Sequence, residues 1–142
     1  MKDPQTQELA LLCLVNLTAE DPRGLPITRE KLCSLVGVYF NARSLRVKTA
    51  AADLMCNLAN DRDNSMLFVC ELDERKPLEY KNHSGIVYVL ELCEKITDIG
   101  LKQATEAMAH NLASNDLSKK RKVMRTGASS LVTQLVLQMS SK

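Results

Sequence analysis

The chain has 142 residues, of which 45% are hydrophobic and 4% aromatic, with no Trp, five Gly and four Pro. That is enough apolar material for one core, and too few rings and turn residues for an all-β domain. The net charge of +2 excludes a global attraction to nucleic acid or to a membrane surface.

The spacing predicts a first helix over residues 6 to 18, after Pro4, and Pro22 and Gly24 turn the chain behind it. Thr28 is the expected N-cap of a second helix, whose stripe of Leu32, Leu35, Val36, Val38 and Tyr39 runs to about Phe40. A third helix is expected from about Leu45 to Asn60. Ser65 is read as the cap of a short helix from Met66 to Leu72. Residues 73 to 83 are charged, contain Pro77 and lack an apolar period, which predicts an inserted surface loop. Ile86, Val89, Leu90 and Cys93 keep helical spacing after Gly85, with Glu91 and Glu94 facing solvent. Leu101 to Ser114 and Ala128 to Met139 complete the set of helices.

Three of these helices share one pattern. The stretches Glu8-Leu-Ala-Leu-Leu-Cys-Leu-Val-Asn-Leu-Thr18, Thr49-Ala-Ala-Ala-Asp-Leu-Met-Cys-Asn-Leu-Ala-Asn60 and Gln103-Ala-Thr-Glu-Ala-Met-Ala-His-Asn-Leu-Ala113 align on Asn16, Asn57 and Asn111. At offsets −7, −3 and +1 stand Leu9, Cys13 and Leu17, then Ala50, Leu54 and Leu58, then Ala104, Met108 and Leu112. These offsets fall on one side of a helix, so the same buried side is expected three times. The intervals, 41 residues and then 54, indicate an all-α solenoid of about three helical repeats, in one domain spanning residues 1 to 142. The loop at 73 to 83 absorbs most of the difference. No polar capping helix is visible at either end, which points to a segment of a longer solenoid.

The stretch from Asn111 to Leu135, with Asn111-Leu-Ala, Gly127-Ala and Leu131-Val-x-x-Leu135, resembles the armadillo repeat; Ser84-Gly85 with Val89-Leu90 is a second instance. Within that family, Arg46-Val-Lys-Thr-Ala-Ala-Ala-Asp-Leu-Met-Cys-Asn-Leu-Ala59 is similar to the UCS-domain myosin chaperones. The resemblance implies a right-handed superhelix whose concave groove holds an extended or partly unfolded polypeptide, with a myosin motor as one such partner. It also implies that Asn16, Asn57 and Asn111 form a ladder of amides along that peptide. An Asn amide both donates and accepts, so it can pair with a peptide N–H and C=O. The alternative is that each amide satisfies backbone groups near its own helix end. Nuclear-import receptors of this family carry Trp four residues before the Asn. Here those positions are Leu12, Asp53 and Ala107, so a cation–π shelf for Lys side chains is not expected.

Lys119, Lys120, Arg121 and Lys122 form a basic run that suits either an acidic partner or a solvated face; no aromatics interleave for nucleic-acid stacking. Five cysteines, at 13, 33, 56, 70 and 93, contain no C-x-x-C, and His83 and His110 are the only histidines. Reduced, mostly buried thiols and no metal or other cofactor are therefore expected. No nucleophile–base pair or phosphate loop is present, so the expected function is non-enzymatic protein binding. The alternatives are a generic armadillo scaffold for trafficking, cytoskeletal or signalling complexes, and a structural repeat segment without a peptide ligand. No signal or membrane-spanning run is seen, which favours the cytoplasm and leaves the nucleus open.

Overall fold

The computed structural model describes residues 3–21 and 27–115. Among these there are six α-helices and no strand: α1 (Pro4–Thr18), α2 (Arg29–Asn41), α3 (Leu45–Leu58), α4 (Arg62–Arg75), α5 (Gly85–Glu94) and α6 (Ile99–Asn115), with a 3-10 turn at Leu78–Tyr80. The basic run Lys119 to Lys122 and the helix expected from Ala128 to Met139 lie outside the described residues.

Each helix starts on a short polar side chain that takes up an N–H left without a partner at a helix N-terminus. Asp3 accepts from Thr6, and Pro4 occupies the first helical position, where its missing N–H costs nothing. Thr28 accepts from Lys31 as expected, Ser44 from Val47 and Ser84 from Val87. Asp98 accepts from the Leu101 N–H at 2.9 Å. Helix α4 departs from the expected start. Asp61, not Ser65, is its cap, accepting from Asn64, and Ser65 is buried inside the helix. At its other end α4 runs through Arg75, into the stretch read as a loop.

Helix α3 is the centre of the packing. It lies against α1, α2 and α6, while α4 touches α2, α5 and α6. Val47, Ala50, Ala51, Ala52, Leu54, Met55 and Leu58 of α3 are all buried, as is Ala59 at its C-cap. Its small residues admit neighbours on several sides, and larger ones fill the gaps: Leu32 and Val36 from α2, Phe68 and Leu72 from α4, Met108 and Leu112 from α6. Tyr39 and Thr105, both buried, share a hydrogen bond of 2.7 Å between α2 and α6.

The shared buried side holds in two helices and fails in the third. Ala50, Leu54 and Leu58, like Ala104, Met108 and Leu112, are at most 6% exposed. Leu9 and Leu17, by contrast, are 64% and 68% exposed, and Cys13 is exposed between them. Helix α1 buries a different side, Leu11 and Thr18, with Leu14 and Val15 half-buried. Burial of an apolar row needs a neighbour as well as a period, and among the described residues this row of α1 is left exposed. All five thiols are free, but only Cys93 is buried, so the expectation of mostly buried thiols fails.

Gly85 brings α4 and α5 together. A Cβ there would stand 2.5 Å from the Leu72 backbone carbon. The Gly85 N–H donates to the Asp73 carboxylate at 2.5 Å. Only a residue without a side chain permits this approach.

Candidate functional site

The three asparagines lie near the C-terminal ends of α1, α3 and α6. The last four carbonyls of a helix lack intrahelical partners. In α3, the N–H groups of Ala59, Asn60 and Asp61 take the carbonyls of Met55, Asn57 and Leu58. The Cys56 carbonyl receives the Nδ2 of Asn111, across from α6, at 2.9 Å. The same bond joins α3 to α1: Asn57 Nδ2 donates to the Val15 carbonyl, in the last turn of α1, also at 2.9 Å. Val15 precedes Asn16 as Cys56 precedes Asn57, so the two junctions use equivalent positions.

Secondary contacts support each amide. Asn57 also donates to the buried Thr18 hydroxyl at 3.3 Å, and Thr18 in turn donates to the Leu14 carbonyl. Asn111 reaches Cys56 Sγ and Asn60 Oδ1, both at 3.2 Å, and Asn115 donates to the Ala59 carbonyl. The Nδ2 donors of Asn57 and Asn111 thus bind neighbouring helices. Asn16 is exposed.

Beside this ladder runs one solvent-accessible row per helix. In α1 it is Gln5, Glu8, Leu12 and Asn16; in α3, Thr49, Asp53 and Asn57; in α6, Gln103, Ala107, Asn111 and Ser114. Spacings of three and four keep each row on one face. Asp53 is half-buried in the middle row, and burial pushes its carboxyl above the ordinary value. Burial likewise pushes up the Cys56 thiol, with the Asp53 charge adding to the effect.

Two other concentrations of reactive side chains have structural explanations. A shallow depression of about 600 Å³ is lined by Arg29, Glu30, Cys33, Ser34, Gly37 and Arg75. There Cys33 donates to Glu71 at 2.9 Å, and Arg75 Nε holds the other Glu71 oxygen at 2.6 Å. The hydrogen bond to Glu71, with burial, raises the Cys33 thiol. A nucleophilic cysteine needs the opposite shift. Burial pushes Glu71 up, but bonds from Cys33 and Arg75 and the charges of Arg75 and Arg29 outweigh it and hold the carboxylate low. The site is a clamp between α2 and α4.

The second concentration is aromatic. Tyr80 packs on Tyr88, with ring centroids 5.1 Å apart, Tyr88 stacks on Phe40 at 6.2 Å, and Phe40 meets Tyr39 edge-on at 5.1 Å. The Tyr80 hydroxyl donates to Glu91, so Glu91 is half-buried rather than simply facing solvent. Sequence reasoning missed this link, which joins two positions it had assigned to a loop and to a solvent-facing helix side. No group of three or more His, Cys, Asp or Glu among the described residues could hold a metal ion, and no described helix is long and apolar enough to cross a membrane.

Models of known protein families, curated proteins and solved structures yield no match to this chain.

Proposed function

We propose that this chain is a non-enzymatic protein-binding module, an armadillo-like solenoid whose ligand face is the row presented by α1, α3 and α6. The observation that supports this most is the repeated junction. Equivalent asparagines join α3 to α1 and α6 to α3 through equivalent carbonyls, and on this reading the three accessible rows lie side by side. Such an elongated polar face suits an extended or partly unfolded polypeptide. By its similarity to UCS-domain chaperones, a myosin motor in a partly unfolded state is the proposed client, and the cytoplasm the proposed compartment.

The role of the asparagines changes under this reading. Asn57 and Asn111 hold the helices in register. Contact with the client falls to their neighbours Thr49, Asp53, Gln103 and Ala107. Asp53 carries a specific argument: a half-buried carboxylate raised by burial alone gains from a cationic side chain of the ligand. A second reading, a structural repeat segment without a ligand, is favoured by the engagement of both Nδ2 donors within the fold.

Titration with purified, partly unfolded myosin motor domain separates the two. The proposal expects Asp53→Arg combined with Ala107→Arg to weaken binding by about tenfold or more, through loss of two contacts of the size typical at interfaces, with the circular dichroism unchanged. Absence of binding by the native protein would favour the structural segment, and equal binding by the native and variant proteins would remove this face as the client's.

A further inference from the structure

We infer that Tyr80 is a phosphorylation site for a protein tyrosine kinase, and that a phosphate placed there, against Glu91, releases the 77–83 segment from α5.

The chain has three tyrosines, and their settings differ. Tyr39 is 5% exposed, with its hydroxyl bonded to Thr105 in the core. Tyr88 lies within α5, its ring in contact with those of Tyr80 and Phe40. Tyr80 closes the 3-10 turn Leu78–Tyr80, in which no residue is buried. Leu78 and Glu79 before it, and Lys81, Asn82 and His83 after it, are exposed. A kinase takes its acceptor on an extended segment. The interior of a helix supplies one only by unfolding. This segment supplies one by giving up three turn bonds, from the N–H groups of Tyr80, Lys81 and His83 to the carbonyls of Pro77, Leu78 and Tyr80, a local opening of low cost. Glu79 stands immediately before the acceptor and suits a kinase whose substrate groove is basic.

The consequence follows from what Tyr80 holds. Among residues 77–83 it alone has a side-chain hydrogen bond or ring contact with a helix: its hydroxyl donates to Glu91 and its ring packs on Tyr88 at 5.1 Å. Phosphorylation breaks the bond between the γ-phosphoryl group of ATP and ADP and forms one to Tyr80 Oη, while the phenolic proton passes to the carboxylate base of the kinase. The donor to Glu91 is then gone. In its place stands a group of charge about −1.5 to −2, facing a carboxylate. The ring cannot keep its seat on Tyr88 without holding the two like charges together. The bond from the Gly85 N–H to Asp73 does not involve Tyr80, so α4 and α5 stay joined and only the segment between them opens. This site lies apart from the rows of α1, α3 and α6, and its failure would leave the proposed ligand face standing.

The test treats the intact protein with magnesium ATP and the purified catalytic domain of a tyrosine kinase selective for an acidic residue before its acceptor. Mass spectrometry then maps the phosphate. Label is expected at Tyr80 and at neither Tyr39 nor Tyr88, and Tyr80→Phe should abolish it. Hydrogen exchange reads the release. The Lys81 and His83 amides should exchange about fivefold faster or more once Tyr80 carries phosphate, the scale of one lost hydrogen bond to a charged group. The Val89 and Leu90 amides, inside α5, should be unchanged. In Glu91→Gln the phosphate should accelerate exchange less, because the charge it opposes has been removed. The inference is overturned if the folded protein takes no label at Tyr80, or takes it at Tyr39 or Tyr88 instead. It is also overturned if phosphate at Tyr80 leaves the Lys81 and His83 amides as slow as before, or accelerates them equally in Glu91→Gln.

Discussion

Asn57 Nδ2 donates to the carbonyl of Val15 across 2.9 Å, joining α3 to the last turn of α1. A carbonyl left without its amide partner loses about 1 kcal/mol, the usual net worth of such a bond. Asn57→Ala should therefore lower the unfolding free energy by about that amount in urea titration. Asn16→Ala, at an exposed position, should stay within about 0.5 kcal/mol of the native protein. Equal effects at the two positions would contradict the structural role assigned to Asn57.

Gly85 sits where α5 meets Leu72 and Asp73 of α4. The obstructing atoms are backbone and Cβ, which cannot swing aside. Gly85→Ala should destabilise by about 1–3 kcal/mol, the range for overpacking a filled core. The same measurement would refute the contact if Ala were neutral.

Tyr80 bonded to Glu91 titrates late. The hydrogen bond to Glu91, with burial and nearby carboxylates adding, pushes its hydroxyl up from 10.0 to about 12. A folded-state value above the unfolded one means that the bond's contribution is full below pH 10 and is lost as pH rises through about 12. Glu91→Gln should bring the tyrosinate absorbance transition of Tyr80 back toward the ordinary value. It should also flatten the loss of stability in that alkaline window. An unchanged titration would show that the bond does not form in solution.

Asp53 runs against stability. Its carboxyl is raised by burial, so it favours the fold only when protonated, and that contribution is lost as pH rises past its folded value. Asp53→Asn should raise Tm at neutral pH, and the gain should fade as pH drops below the ordinary carboxyl value of 3.8. The group is partly solvated, so the shift should be small. If the same substitution weakens client binding, Asp53 is kept for a ligand at the expense of stability.

Much of this was legible in the chain. The apolar rows of α3 and α6 depend on local spacing, and Thr28 stands alone before its stripe, so both were readable. The start of α4 was not, because Asp61 lies within a polar run that also suits a turn, and Ser65 offered a competing cap. Leu9, Cys13 and Leu17 have the right period but no covering helix among the described residues, and period carries no information about neighbours. The asparagines were recognisable as equivalent. That their Nδ2 atoms point to adjoining helices depends on which carbonyls the next helix brings near, which no local pattern encodes. Tyr80 and Glu91 come from a 3-10 turn and a helix eleven residues apart, a contact that no local period encodes.

The central claim is that a polypeptide lies across the accessible rows of α1, α3 and α6. Its most direct test is photocrosslinking with a benzophenone amino acid placed at Ala107 on α6 or at Met66, exposed on α4, in the presence of purified, partly unfolded myosin motor domain. The account predicts adducts from position 107 and none from position 66. Adducts from position 66 alone, or from neither position under conditions where binding is measured, would contradict it.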